Sequence, residues 1–218
     1  MDVVEQGTMK AWIAGLSAIQ RYGVDFVDKD TRTCKEVLNL VVRINDAHKD
    51  VLEPISYLTQ LNLWIYPTVE ELQAIIFARK TIPTIQFTYG SRIFNFQEKI
   101  DQIHDFIIPL LKSDPTSRRA VLTIFDPVKD AQIYNKEVPG LVSIYFKMHE
   151  GKLTVTGTLR SNDYFIGWPT NVFQIYKLQE YVAHEIGVSP GELITISHSA
   201  HFFEEYTELI DDLLKRQA

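Results

Sequence analysis

Apolar and polar residues alternate with a helical period in five stretches of the chain. These stretches predict helices at 9–22, 68–79, 100–111, 171–186 and 202–215. Gly23 is expected to end the first helix, and Thr68 with Glu71 has the spacing of a capping box at the start of the second. The fourth stretch is apolar on most of its surface and is therefore expected to be buried.

Short runs rich in β-branched residues predict strands at 37–44, 120–125, 141–148, 153–159 and 192–197. Four residues with Gly151 among them separate the third and fourth runs, which predicts an antiparallel hairpin. Ser189-Pro190-Gly191 is expected to interrupt the chain before the last strand. The pattern predicts an α+β fold with helices packed on a mixed or antiparallel sheet. No repeat or linker divides the chain, so a single domain at 1–218 is expected.

Composition narrows the class of protein. The 218 residues are 45% hydrophobic and 23% charged, which suits one domain with a full-sized core. A net charge of −6 argues against general nucleic-acid binding. No run approaches the roughly 18 apolar residues of a membrane span, and the first ten residues lack a signal-peptide pattern. Since Cys34 is the sole cysteine, a multi-cysteine metal site is excluded and a cytoplasmic protein without metal is expected.

Polar motifs cluster around one segment, where Arg160-Ser161-Asn162-Asp163 is followed by Gly167-Trp168-Pro169-Thr170-Asn171. Other motifs flank it in the chain: DTRT at 30–33, Tyr89-Gly90-x-Arg92, DPTSRR at 114–119 and Ser199-Ala200-His201. This ordered set, from about residue 9 to 205, resembles the thymidylate synthase family. The short chain is similar to the compact archaeal or phage form.

The resemblance implies a binding site for a nucleotide monophosphate. Arg32, Arg160 and Ser161 would hold the phosphate within one subunit. Arg118 and Arg119 would reach it from a second subunit, so a homodimer that pairs through the sheet is expected. Guanidinium groups match phosphate geometry and suit this dianion. The alternative is that these arginines are scattered surface residues.

The same resemblance implies which residues contact the base. Asn171 corresponds to the family's base-reading asparagine, whose donor and acceptor suit a uracil-like ring. The alternative is a buried asparagine that caps the helix. Gly167 and Trp168 would lie beside the base and sugar, although Trp168 also suits simple core packing.

The sugar end departs from the family pattern. His201 would bind a sugar hydroxyl, but the family's tyrosine two residues later is Phe203. The family's aspartate two residues before the histidine is Ser199. These two changes bring deoxyribose specificity into question.

The main departure lies twenty residues before Arg160, where the family has Pro-Cys and this chain has Pro139-Gly140. In the family the cysteine adds to C6 of the pyrimidine and activates C5. The neighbouring histidine of the family is Leu141 here. Because glycine has no side chain, the standard mechanism is excluded. Cys34 is an alternative nucleophile, but it lies near the expected phosphate.

The resemblance implies 5,10-methylenetetrahydrofolate or a related folate as cofactor. Asp163 would act as the acid on the folate side and Tyr89 would line the catalytic pocket. A further glutamate of the family has three candidates: Glu53, Glu70 and Glu71.

Two functions are compatible with these residues. The first is methyl or hydroxymethyl transfer to a pyrimidine-type nucleotide by a mechanism that needs no cysteine. The second is a catalytically inactive homologue that binds nucleotides. A single engineered exchange is a third origin for Gly140, but Leu141, Ser199 and Phe203 favour natural divergence.

Overall fold

The computed structural model describes residues 1–63, 65–81 and 86–217. Within these residues eight strands form one mixed sheet in the order β1-β3-β8-β6-β5-β4, with β2 beside β3 and β7 beside β8. The strands are β1 (Asp2–Glu5), β2 (Val24–Val27), β3 (Thr33–Ile44), β4 (Val121–Thr123), β5 (Leu141–His149), β6 (Lys152–Leu159), β7 (Asn162–Asp163) and β8 (Ser189–Phe203).

Helices connect these strands. They are α1 (Thr8–Tyr22), α2 (Glu53–Leu61), α3 (Val69–Phe77), α4 (Tyr89–Phe94), α5 (Ile108–Ser113), α6 (Pro127–Asp130), α7 (Gly167–Ile186) and α8 (Thr207–Gln217). Short 3-10 turns occur at Ala47–Lys49 and Glu204–Tyr206, and a π-helical turn at Gln102–Ile107. The α+β class is confirmed, and the sheet is mixed because β1–β3, β6–β8 and β7–β8 pair in parallel.

The two faces of the sheet differ in burial. One row of register partners is buried throughout: Val42, Thr195, Gly157, Ile144 and Leu122. The adjacent row is partly or fully exposed: Arg43, Ile194, Thr156, Tyr145 and Val121. Side chains of adjacent strand residues point to opposite faces. The helices therefore cover one face and leave the other open.

Helix α7 lies directly on the covered face. A Cβ at Gly157 would come within 2.6 Å of Ile175 Cδ1, so only glycine lets the helix approach β6 this closely. The side-chain amide of Gln179 donates to the carbonyl of Leu153, 2.7 Å away. This contact fixes α7 against the sheet and sets the position of the residues at its first turn.

Helix α1 supports the turn between β7 and α7. Its Trp12 is fully buried, and Nε1 donates to the carbonyl of Tyr164 at 2.9 Å. The same ring stacks on Phe165 with 5.7 Å between centroids. The turn that carries Asp163 is therefore held by the N-terminal helix.

Several predicted elements are confirmed. The β5–β6 hairpin pairs Met148 with Leu153 around Gly151, whose φ is +74°. Thr68 and Glu71 form both hydrogen bonds of a capping box at the start of α3. The helical periodicity and the turn chemistry at these places were sufficient to predict them.

Three predicted boundaries are wrong. The stretch 100–111 is a π-helical turn followed by α5, because Pro109 has no N–H to continue one α-helical ladder. Ser189-Pro190-Gly191 begins β8 instead of interrupting the chain, and Pro190 occupies a strand's start, where proline is tolerated. Phe202 and Phe203 end β8, and the terminal helix begins only at Thr207.

Candidate active site

Gly140 lies opposite Arg160 at the open end of the β5–β6 hairpin. The backbone N–H of Arg160 donates to the carbonyl of Gly140 at 2.8 Å. The guanidinium group contacts the two residues before Gly140: Nε donates to Pro139 O at 2.9 Å and Nη2 to Val138 O at 2.7 Å. Gly140 and Arg160 are therefore neighbours across the two strands, just beyond a register shift between Leu141 and Ser143.

A small side chain at Gly140 would fit only if Ser161 moved by a few tenths of an ångström. A Cβ built there would lie 3.1 Å from the carbonyl oxygen of Ser161 and 3.6 Å from the hydroxyl of Tyr89. That hydroxyl accepts a hydrogen bond from Leu141 N at 3.3 Å. Burial raises the pKa of Tyr89, so the hydroxyl keeps its proton at neutral pH. Tyr89 can therefore donate a hydrogen bond into this space.

Asp163 lies at the turn between β7 and α7. Its Oδ1 accepts from the N–H groups of Phe165, at 3.1 Å, and Ile166, at 3.2 Å. Burial raises the pKa of this carboxyl to about 6, against the opposing effects of the two N–H groups and of Arg32. Asp163 therefore exchanges a proton close to physiological pH.

The raised pKa of Asp163 predicts a pH-dependent effect on stability. The unfolded carboxyl has a pKa of 3.8 and the folded one about 6, so its contribution to stability is largest below pH 4 and falls as pH rises to 6. Asp163→Asn is expected to raise the free energy of unfolding at pH 7.5 by about 1–3 kcal/mol and to have little effect at pH 4. Urea denaturation at both pH values measures this, with exposed Asp2→Asn as control. Equal destabilisation at both pH values would contradict it.

The partly buried Asn171 is joined by hydrogen bonds to the buried Asn162 and Ser197. Its Nδ2 donates to Asn162 Oδ1 at 3.1 Å, and Asn162 Nδ2 donates to Ser197 Oγ at 3.0 Å. Asn171 Oδ1 accepts no hydrogen bond from a described residue, so it is free to accept one from a ring N–H. Gly167 lies at the same turn, where a Cβ would be 3.6 Å from Asp163 Cβ and 3.8 Å from Asn162 Oδ1.

Trp168 lies in the core and is not brought to this site. Its side chain has no exposed surface, and Nε1 donates to Thr195 Oγ1 at 3.1 Å. The ring stacks on Tyr164 with centroids 5.0 Å apart. Of the two predicted roles, core packing fits this environment.

His201 lies at the other end of the site, on β8 opposite Glu36 of β3. Its Nδ1 is 3.4 Å from Ser199 Oγ, which in turn donates a short hydrogen bond to Glu36 Oε1. Burial lowers the pKa of His201, so the imidazole is neutral at pH 7. On the other side of β8, Asp163 of β7 is the register partner of His201. Asp163 and His201 are therefore neighbours in the sheet.

Arg32 is held at the edge of the site by two groups. Its Nε and Nη2 donate to Asp28 Oδ2 at 3.0 and 2.9 Å, and its Cζ lies 4.0 Å from the centroid of the Phe203 ring. The Asp28 carboxylate also accepts from the N–H of Asp30, and Thr31 adopts a φ of +64°. Phe203 therefore supports Arg32 by a cation–π contact.

Arg118 and Arg119 stand apart from the other basic residues. Both side chains are exposed just before β4. Neither forms a side-chain hydrogen bond or ion pair with a residue of the described chain. The partly buried Ser161 follows Arg160 directly, and its carbonyl faces Gly140. One chain thus brings Gly140, Tyr89, Arg160 and Ser161 together but leaves the paired arginines unengaged.

The remaining candidates are not placed for chemistry. Cys34 is buried, its thiol donates to Arg32 O at 3.6 Å, and burial raises its pKa, which disfavours the thiolate. Glu53, Glu70 and Glu71 are exposed, and Glu71 is occupied in the capping box. Within the described residues no group of three or more His, Cys, Asp or Glu could hold a metal ion.

Sequence reasoning overlooked two residues of this site. Asn162, the variable position of its motif, links Asn171 to the sheet. Glu36 faces His201, and the predicted strand began one residue too late to include it. The available signal was a lone carboxylate four residues after Arg32 in a strand of alternating polarity.

None of the described helices is long and apolar enough to cross a membrane.

Known proteins similar to this chain share one description. A sequence model of thymidylate synthase matches residues 28–218. A protein of Methanosarcina barkeri named "Putative thymidylate synthase" is 31% identical over 205 residues, which cover 94% of this chain and 90% of that protein. A protein of Methanocaldococcus jannaschii with the same name is 31% identical over 194 residues, covering 84% and 80%.

A more distant match is the thymidylate synthase of Listeria monocytogenes, 34% identical over 120 residues that cover 55% of this chain and 37% of that protein. The contrast in coverage agrees with the compact form expected from the short sequence. The match of the family model and the near-complete alignments lead to one conclusion. The chain belongs to the thymidylate synthase family.

Proposed function

We propose that this protein is a homodimeric, single-domain cytoplasmic enzyme that transfers a one-carbon unit to a pyrimidine-type nucleotide monophosphate, with a uracil-like base favoured. Family membership supports one-carbon transfer to a nucleotide, and the family normally uses a folate cofactor. The observation that carries the proposal is the family match over residues 28–218, which include every candidate residue for phosphate, base and sugar.

The phosphate would lie between Arg32, Arg160 and Ser161. Arg160 projects from the hairpin end beside Gly140, and Arg32 is oriented by Asp28 and Phe203. In the second copy of the chain, Arg118 and Arg119 would complete the site, which gives a role to two exposed cations that have no described partner. Such charge-assisted hydrogen bonds suit a doubly charged phosphate.

The base would lie between Gly140 and Asn171. The free Oδ1 of Asn171 would accept from the ring N3–H, and the second Nδ2 hydrogen would donate to O4, as a uracil edge requires. The neutral His201 would bind a sugar hydroxyl. Because Gly140 has no nucleophilic side chain, it forms no covalent adduct with the pyrimidine ring. The ring carbon that receives the one-carbon unit must therefore be made nucleophilic by electron donation within the substrate itself.

A folate fits the donor set near Asp163. The Oδ2 atom of this carboxyl accepts no hydrogen bond from a described residue, so it would hold a donor group of the cofactor. A bound 5,10-methylenetetrahydrofolate or related folate supplies the one-carbon unit. Asp163, with a pKa of about 6, would hold or release a proton on this side, and the protonated Tyr89 hydroxyl would donate from the Gly140 side.

Gly140 also favours a second function, a homologue that binds nucleotide without turnover. The two functions differ in their products. Mass spectrometry after incubation with nucleotide and methylenetetrahydrofolate would detect a product in which a methyl or hydroxymethyl group replaces one ring hydrogen if the protein is an enzyme. Binding without such a product would establish the inactive homologue.

Charge reversal at Arg160 tests the phosphate site. Arg160→Glu is expected to weaken binding of uridine or deoxyuridine monophosphate by at least about 100-fold, because a carboxylate replaces a phosphate donor. Isothermal titration calorimetry measures the affinity, and circular dichroism checks the fold. Arg216→Glu, an exposed residue of α8, makes the same change in net charge and should bind normally. Parental affinity in Arg160→Glu would refute the site.

The open face of the sheet supports the proposed dimer. It carries partly exposed Val41, Ile194 and Ile196, and exposed Val121, beside threonines. Two copies related by a two-fold axis would bury this face. Light scattering is expected to give about twice the chain mass of 25.1 kDa.

Complementation gives a sharper test of a shared site. Arg119→Ala and Arg160→Ala are each expected to lose nucleotide binding, but each mixed dimer should contain one intact site. Binding should reappear after the two inactive variants are unfolded and refolded together. Refolding each variant alone is the control. No recovery in verified mixed dimers would show that the site lies within one chain.

A further inference from the structure

Three polar side chains form a compact group between β3 and β8, here called the sugar cluster: Glu36, Ser199 and His201. Glu36 and His201 are register partners, so their side chains share one face of the sheet. Ser199 lies two residues before His201 and therefore points the same way. The Ser199 hydroxyl joins the other two, through a short bond to Glu36 Oε1 and a 3.4 Å approach to His201 Nδ1.

The carboxylate of Glu36 is only partly satisfied within the chain. Its Oε2 accepts no hydrogen bond from a described residue, and no described cation pairs with it. The neighbouring Lys35 is bound to Asp25 instead, at 2.7 Å. Glu36 is partly buried. Because part of the Glu36 side chain is accessible, a ligand can reach Oε2 and provide hydrogen-bond donors to it.

The charge of Glu36 restricts the part of the ligand that can lie here. A carboxylate repels phosphate, so the phosphate would be bound by the cationic Arg32 and Arg160 and not by Glu36. A neutral imidazole and a carboxylate together offer a donor and several acceptors to hydroxyl groups. Acidic side chains bind ribose hydroxyls in nucleotide sites of other folds. A sugar with two adjacent hydroxyls satisfies more of this cluster than one that lacks a hydroxyl.

We propose that Glu36, with Ser199 and His201, binds the 2′- and 3′-hydroxyls of ribose, so that the substrate is a ribonucleotide monophosphate. This inference rests on the proposed function, which places the sugar at His201. It specifies the substrate class and assigns Glu36 as the residue that determines sugar specificity. A deoxyribonucleotide would place a methylene group where the carboxylate requires a donor, and an unpaired buried acceptor is unfavourable.

Calorimetric titration of four nucleotides tests the inference: the monophosphates of uridine, deoxyuridine, cytidine and deoxycytidine. Comparing ribose with deoxyribose for each base separates sugar choice from base choice. The parent protein is expected to bind at least one ribonucleotide about 10- to 100-fold more tightly than the matching deoxyribonucleotide, the range for a hydrogen bond to a charged group.

Glu36→Gln is expected to reduce this preference to about threefold or less, with affinity for the deoxyribonucleotide unchanged. Asp25→Asn is the matched control, because this exposed carboxylate lies on β2 and pairs with Lys35. It should keep the full preference. The parent measurement needs no variant, so it remains decisive even if Glu36→Gln does not fold.

Equal binding of ribose and deoxyribose forms by the parent would overturn this inference alone. An undiminished ribose preference in a folded Glu36→Gln protein would also overturn it. If none of the four nucleotides binds, the proposed function fails and the inference fails with it. The outcomes therefore distinguish failure of the ribose preference from failure of the proposed nucleotide-binding function.

Discussion

Gly140→Cys is expected to form a covalent adduct with fluorouridine or fluorodeoxyuridine monophosphate, whereas the parent protein forms none. A side chain at this position has room, since its Cβ would lie 3.6 Å from the Tyr89 hydroxyl and needs a shift of a few tenths of an ångström from Ser161 O. A thiolate held beside the ring would add to C6. Intact-protein mass spectrometry measures the adduct as one added nucleotide per chain.

The parent protein is expected to produce no detectable thymidylate from deoxyuridine monophosphate. Loss of a covalent nucleophile costs several powers of ten in rate. Gly140→Ala is the matched control for the cysteine variant, because it adds the same Cβ without a thiol. If the introduced thiol stays unmodified in a Gly140→Cys protein that binds nucleotide, the base lies elsewhere. Thymidylate formation by the parent at the variant's rate would contradict the role assigned to Gly140.

Arg92→Leu is expected to lower the free energy of unfolding by about 3–5 kcal/mol, a second large effect. Arg92 is 8% exposed and pairs with two buried carboxylates, through Nη2 to Asp130 at 2.8 Å and Nη1 to Asp126 at 3.4 Å. Removing the guanidinium leaves both carboxylates buried without a cation. Because Tyr89 begins the same short helix, α4, the variant should also disturb the pocket.

Urea denaturation at pH 7.5 measures this loss. Arg79→Leu provides the matched control, since its ion pair with Asp101 is exposed on the arginine side and should contribute less than about 1 kcal/mol. Similar losses for both variants would show that the Arg92 network adds no more than a surface pair. Both variants replace arginine by leucine, so the difference between their losses of stability measures the effect of burying the ion pair.

The sequence predicted best where local chemistry and tertiary structure agree. The β5–β6 hairpin follows from two β-branched runs around a glycine turn. The register shift between Leu141 and Ser143, which places Gly140 opposite Arg160, was not predicted. The capping box of α3 depends on residues three positions apart. Both features are decided by neighbours in the chain, and both were predicted without knowledge of the sheet.

Prediction failed where distant partners decide the conformation. Strand β3 was predicted too short because its first residues face the site and β2, so they lack the apolar pattern of a core strand. That shortening hid Glu36. Short β1 and β2 were missed because pairing with β3 stabilises them more than their own residues do. We propose that Arg118 and Arg119 bind the phosphate of a second chain, and no pattern within one chain determines such an arrangement.

The pairing of β3 with β8 also determines when the site can form during synthesis. Cys34 near the start of the chain lies opposite Phe203 near its end, and the sugar cluster spans this same junction. Strands so distant in sequence close a long loop late, which slows folding. The backbone edge of β3 must therefore stay unpaired until β8 has been synthesised. A nascent chain that stops before Ser189 would present this edge to other chains, and an unpaired strand edge promotes aggregation.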